Sequence, residues 1–311
     1  MRTLSVPLKV ALAGYLFLVG GLAVNIHIQM LEGGIPHPRG LADIPSWNPF
    51  LQHWVQLLGI AWLYRLCKER FPSVGYGRST LLLFTIMVTL LQLILRLPIT
   101  AGYVNGRAFL FTWAAAYLPD AITLLFSTAL VVLLASLKPN ESIRRFAMPL
   151  GLLVGAILAW KVVGPLAAQF GGIVSGFFPG PRPEAVIPFP YGQTVNRIAS
   201  VLFIEPTVSC FIIGWLAWNK LSSNRWVWIL QFNLLILMLV NRLVDQTLFM
   251  TYSTLPPMEA FLSMGQFTFQ WIFLGVMIPL ALGYLKRVPI PVGSVSAVDT
   301  EATAQADPYE D

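Results

Sequence analysis

Residues 226–249 read WVWILQFNLLILMLVNRLVDQTLF. From Trp226 to Val240 only Gln231 and Asn233 are polar, and then Asn241, Arg242 and Asp245 follow inside the same run. A stretch of this length matches the ~20 residues with which an α-helix crosses the ~30 Å hydrocarbon layer of a bilayer. The interrupting charges would be costly there unless they serve a purpose. Both traits recur along the chain.

Seven further apolar stretches lie at 8–30, 49–66, 79–97, 115–137, 146–167, 196–218 and 262–285. With 56% hydrophobic and 11% charged residues in 311, the composition excludes an ordinary soluble domain. It predicts an all-α, polytopic membrane protein of eight transmembrane helices. A basic start, an apolar run and small residues at Gly21 and Ala23 also fit a cleaved signal peptide. The symmetry described below argues for keeping the first helix.

Lys and Arg set the orientation. Arg2, Lys9, Arg65, Lys68, Arg70, Arg78, Lys138, Arg144, Arg145, Lys220, Arg225, Lys286 and Arg287 fall on one side. Arg39, Arg107, Arg182 and Arg197 fall on the other. Thirteen against four predicts a multi-pass protein of the cell membrane, an inner membrane in a bacterium, with both termini cytoplasmic. Trp215, Trp218, Trp226 and Trp228 flank the third inner loop, the depth at which amphipathic rings settle. The net charge of +6 is spread over helix ends instead of one face, so it implies no nucleic-acid partner.

The chain also resembles itself. Residues 1–145 and 146–290 align as two four-helix halves. Pro7-Leu8 answers Pro149-Leu150, and Pro36-His37-Pro38-Arg39 answers Pro179-Gly180-Pro181-Arg182. Gly59, Arg65, Leu66, Arg70 and Phe71 answer Gly214, Lys220, Leu221, Arg225 and Trp226. Arg96-Leu97 answers Arg242-Leu243, and Leu137-Lys138 answers Leu285-Lys286. An even number of helices per half makes such repeats parallel, related by an axis along the membrane normal. Residues 291–311 form a small, polar, acidic tail that lacks the apolar residues to build a core and is expected to be disordered.

The outer loops are the longer ones. Residues 31–48 and about 168–195 are rich in Gly, Pro and aromatics, with Pro179, Pro181, Pro183, Pro188 and Pro190 in the second. Such spacing favours stiff, extended backbone packed down over the helix ends.

Six charges interrupt the apolar stretches: Arg96, Asp120, Lys161, Glu205, Arg242 and Asp245. Each costs about 2.5–3.5 kcal/mol on insertion scales, so pairs or a wet cavity are expected. All six fall in the outer half, with Glu205 deepest. Pro206 beside it weakens the helix at that level. Arg242 and Asp245, three apart, face each other. The remaining charges are expected to pair as Arg96 with Asp120 and Lys161 with Glu205. These six are the candidate substrate-binding or coupling residues.

His27, His37 and His53 lie on the same side, with Glu32 and Asp43 between the first two helices. His27 and His53 are candidate ligands for a metal or haem, although their spacing matches no defined motif. Cys67 and Cys210 form no CxxC and are expected to stay unbridged. The chain holds no GxxxxGK[ST], HExxH, GxSxG or dinucleotide fingerprint, and no cofactor is implied.

Three classes of function remain. The first is a permease or transport component with a charged cavity open to the outer face. The second is a membrane-embedded enzyme or assembly factor acting on a lipid, quinone or metal at that face. The third is a structural subunit whose charges are buried against partner helices. The expected partners are therefore the lipid bilayer, a small-molecule or lipid substrate and, in the third case, other membrane subunits.

Overall fold

The computed structural model describes residues 6–38, 40–70, 75–137, 141–179 and 191–287. Among the described residues the chain is helical and has no strand; its single β-bridge joins Ala42 to Ser253. Each apolar stretch becomes a helix or a pair of helices. The first two are α1 (Val6–Glu32) and α2 (Asn48–Cys67), and the third is α3 (Tyr76–Leu90) with α4 (Arg96–Val104). The fourth holds α6 (Leu118–Ser136), with the short α5 (Phe109–Thr112) ahead of it, and the fifth α7 (Glu141–Leu158) and α8 (Gly164–Ser175). The sixth splits into α9 (Gln193–Leu202) and α10 (Ile204–Ala217), and the seventh into α11 (Arg225–Leu239) and α12 (Arg242–Tyr252). The last is α13 (Pro257–Arg287).

Five of these segments are long and apolar enough to cross a bilayer, and a sixth is added if α11 and α12, bent by 72°, count as one crossing. The described helices thus fit a multi-pass helical membrane protein. The expectation of eight crossings runs beyond this. The second stretch carries Gln52, His53, Gln56 and Arg65, and the third is cut short at Leu90. The proline-rich segment 180–190, Arg39 and the tail from 291 lie outside the described residues.

The breaks have specific causes. The fourth stretch passes through a π turn at Trp113–Tyr117 and the fifth through another at Ala159–Val163. Pro119 and Pro165 follow directly; neither can donate to the carbonyl four residues back, and a widened turn accommodates the loss. Pro206 does the same to the sixth stretch, which turns at Phe203. The third and seventh breaks are different. Gln92 (φ 64°) and Asn241 (φ 61°) are the only non-glycine residues with left-handed backbone among those described. Gln92 N–H donates to Thr89 O and Leu93 N–H to Val88 O, a paired closure that terminates α3. Asn241 N–H donates to Met238 O at the end of α11. After each stop an arginine opens the next helix.

One core joins the helices, centred on Leu57, Ile60, Leu63, Met87, Leu90, Phe203, Ile213, Phe232, Leu235 and Ile236, all fully buried. The second stretch packs on the seventh and the third on the sixth. The second also packs on the fifth, and the first on the sixth. The third packs on the fourth and the seventh on the eighth; the second on the fourth and the sixth on the eighth. The fourth meets the fifth, the first meets the eighth, and the second meets the sixth at the centre. Advancing every stretch by four exchanges these pairings two by two and returns the second–sixth pairing to itself.

Small residues set the closest approaches, as is usual between helices in lipid. A Cβ at Gly171 would lie 2.7 Å from both Ala114 O and Pro119 Cγ, whereas at Gly172 nothing lies within 4 Å. Gly171→Leu is therefore expected to destabilise by about 1–3 kcal/mol through overpacking. Gly172→Leu should melt like the wild type in detergent; equal melting of the two variants would contradict the packing of α8 on the π turn.

The connection between α1 and α2 is tied down. Ser263 Oγ and Gln266 Nε2 both donate to Pro36 O, at 2.8 and 3.1 Å. Thr254 N–H donates to Leu41 O and Asp43 N–H to Tyr252 O. Cys67 and Cys210 are buried and form no disulfide with each other.

Candidate functional site

The polar residues gather at the two breaks, where the third stretch meets the sixth and the seventh meets the second. Glu205, in the first turn of α10 and only 7% exposed, reaches across to the start of α4. Its Oε1 accepts from Ile94 N–H (3.0 Å), and its Oε2 from Leu95 N–H (3.1 Å) and Arg96 N–H (2.8 Å). The first turn of α4 has no side-chain cap of its own. A carboxylate from another helix satisfies three of the N–H groups that a helix start leaves bare, and its charge complements the positive end of the helix dipole.

Arg96 turns back over the same junction. Its Nε donates to Ala199 O at 3.3 Å, its Nη1 donates to Gln92 Oε1, and its guanidinium lies 4.6 Å from the centre of the Phe203 ring. Ser209, one turn below Glu205, donates to Ile86 O at 2.8 Å. The sixth stretch is thus fastened to the third at two successive turns.

The seventh stretch is fastened to the second in a parallel way. Arg242 Nη1 donates to Asp245 Oδ2 at 2.9 Å, as the three-residue spacing predicts. Gln52 Nε2 donates to Asp245 Oδ1 at 2.7 Å, and Gln56, one turn on, donates to Leu239 O at 3.0 Å. The Arg242 guanidinium lies 5.6 Å from the Phe267 ring centre, and its Nε is buried without a partner. Arg96 and Arg242 lie close enough for their charges to interact.

Of the six candidate charges, Arg96 and Glu205 lie at the third-stretch break and Arg242 and Asp245 at the seventh. The other two lie at neither. Lys161 is exposed, with its ammonium 3.6 Å from the Trp160 ring centre instead of beside Glu205. Asp120 is exposed in the first turn of α6, where the helix dipole favours an acid, and does not partner Arg96. Glu205, not Asp120, supplies the carboxylate at Arg96.

Two of the three histidines share one aromatic neighbour. His27 tilts against Phe267 with ring centres 4.6 Å apart, and His37 meets the same ring edge-on at 5.5 Å. The imidazole beside His27 is that of His37, at 6.3 Å. His53 lies on α2, and both His27 Nδ1 and His53 Nδ1 are buried without a hydrogen-bond partner. Among the described residues no three His, Cys, Asp or Glu side chains converge on a point that would hold a metal.

Reading for charge alone misses the amides. Gln52, Gln56 and Gln92 hold the breaks as much as the ions do. Gln52 and Gln56, four apart in an apolar run, were the available signal.

No family model, curated protein or solved structure matches the chain.

Proposed function

We propose that this protein is a membrane permease or transport component, built from two four-helix halves, 1–145 and 146–290, and crossing the membrane eight times with both termini in the cytoplasm. One observation carries the reading: a helix in each proposed half stops on a left-handed residue and restarts with arginine, and the two arginines lie within electrostatic reach of each other. Helices interrupted in this way expose backbone dipoles where a substrate can be held within the membrane. The exchange of the main packed pairs on advancing four stretches, with the second–sixth pair returning to itself, supports a parallel duplication. Thirteen basic residues against four support the orientation.

Two half-helix N-termini and two guanidiniums suit a substrate with an anionic group, approaching from the outer face. Glu205 and Asp245 hold these positive centres while it is away. The two described cavities, lined by residues such as Trp218 and Pro279 and by Leu12 and Met277, lie toward the opposite end of the helices. The arrangement seen is then the closed form of the path.

The second reading, a structural subunit of a larger complex, draws on a different observation. Both Glu205 oxygens and both Asp245 oxygens are already occupied within the chain, as expected of pins that fix helix register.

Accessibility to water separates the two without knowledge of the substrate. Gln92 is 6% exposed and touches Arg96. With Cys67 and Cys210 replaced by alanine, Gln92→Cys in intact cells is expected to react with a small membrane-impermeant thiosulfonate within minutes. A permease must open this level to water in its cycle. No labelling over hours, with ready labelling after detergent denaturation, would leave the structural reading standing.

A further inference from the structure

Away from the junction, at the end of the bundle that carries the loop 219–224, two cavities adjoin. One, of about 680 Å³, is lined by Trp218, Asn219, Ser222, Ser223 and Arg225 together with residues of α13. The other, of about 360 Å³, is an apolar groove between α1 and α13, lined by Leu8, Leu12, Met277 and Ala281. Leu280 and Tyr284 belong to both walls, so the two form one trough with a polar and an apolar end.

Local structure explains why the trough exists. Pro279 in α13 lines it and gives no N–H to the helix there. A Cβ at Gly283 would lie 3.6 Å from the rim of Trp218, an ordinary contact, and its absence leaves that wall open. On the groove side, Tyr15 hydroxyl donates to Met277 O at 2.8 Å, which turns its polar atom away and leaves the ring as wall. At the polar end Asn224 Oδ1 accepts from Trp226 N–H and Val227 N–H, so the start of α11 is capped from within. The charge offered to an occupant is that of Arg225, which is exposed beside a Trp226 ring 74% exposed. Lys220, the neighbouring base, is held by Glu69.

We infer that this trough binds one anionic phospholipid from the leaflet at that end, its phosphate-bearing headgroup at Arg225, Ser222 and Ser223 and one acyl chain along the groove between α1 and α13. A soluble metabolite would leave the apolar half empty, and a plain hydrocarbon the polar half. Tyr284, 66% exposed where the two halves join, and Trp226 are the amphipathic rings expected at headgroup depth. A basic side chain near the membrane surface favours an anionic lipid by about fivefold. The inference rests on the membrane setting alone and is independent of transport.

Native mass spectrometry of the full chain tests it, using dioleoyl phosphatidylglycerol and dioleoyl phosphatidylcholine added in equal amounts to delipidated protein in mild detergent. The wild type should retain a single phosphatidylglycerol in about fivefold preference. Arg225→Gln, a change on an exposed side chain, should bring the two lipids to parity. Ala281→Trp, which fills the groove, should reduce retention of both while the melting temperature stays near that of the wild type; Leu12→Trp serves if that variant fails to fold. Equal retention by the wild type, an unchanged preference in Arg225→Gln, or undiminished binding in a folded groove-filled variant would each overturn the assignment.

Discussion

Glu205→Ala is expected to lower stability by about 3–5 kcal/mol, because it removes a buried charge and strands its partners. Three N–H groups, those of Ile94, Leu95 and Arg96, lose their acceptor at once, and α4 offers no replacement cap. Hydrogen exchange should report the damage locally, with protection lost at residues 94–96 before the core responds. Glu205→Gln is not the benign substitution that its size suggests. One amide oxygen can still serve Leu95 and Arg96, but the NH₂ then points at the Ile94 N–H, donor against donor. A loss of about 1–3 kcal/mol follows. Adding Lys161→Met to Glu205→Gln should rescue nothing, since Lys161 sits over Trp160 and not over the carboxylate. A Glu205→Ala protein that melts with the wild type, or rescue by the Lys161 change, would refute this account of the junction.

The partners of Glu205 leave no mark in the sequence. A search for partners looks for opposite side-chain charges, so Lys161 and Arg96 present themselves. The actual partners are backbone N–H groups, which every residue carries and no sequence displays. They become available only because α3 stops at Leu90, and that stop is hidden as well. A helix end of this kind is ordinarily betrayed by glycine in the left-handed position; here the residue is Gln92, inside an unbroken leucine-rich run. Asn241 in the seventh stretch was the more legible of the two, because asparagine tolerates that conformation better than most residues.

What was legible had a strong physical signal. Helix-length apolar runs leave little choice of fold in a bilayer, and the Arg242–Asp245 pair follows from its three-residue spacing. The ties of Gln52 and Gln56 to the seventh stretch follow from nothing local, because they depend on which helix packs opposite α2. The bounds of the second and third stretches fell between these cases. Polar residues dilute the former, and the latter continues past its break into α4, seven residues beyond where the apolar run ends at Leu97.

The two readings of function divide most sharply at Arg242 and Asp245. Arg242→Met leaves Asp245 with Gln52 as its remaining partner, and Asp245→Asn leaves Arg242 with a neutral acceptor and the Phe267 face. The pair is partly exposed, 28% and 17% at the side chains, so water offsets part of the loss. Each single change should cost about 1–3 kcal/mol, below the full figure for a sealed pair. The double variant Arg242→Met, Asp245→Leu restores neutrality with apolar groups of similar bulk and should recover to within about 1 kcal/mol of the wild type. Stability is thus expected to return under either reading, and the response to anions decides between them. If Arg242 serves an incoming anionic group, inorganic phosphate or small carboxylates at millimolar concentration should raise the melting temperature of the wild type but not that of the double variant. Arg96, anchored to Gln92 and Ala199, remains in both proteins, so a residual shift measures its own share. A register pin has no such use for an anion. Identical anion responses in the wild type and the stable double variant would therefore remove Arg242 from any substrate path and leave its pairing with Asp245 a matter of assembly.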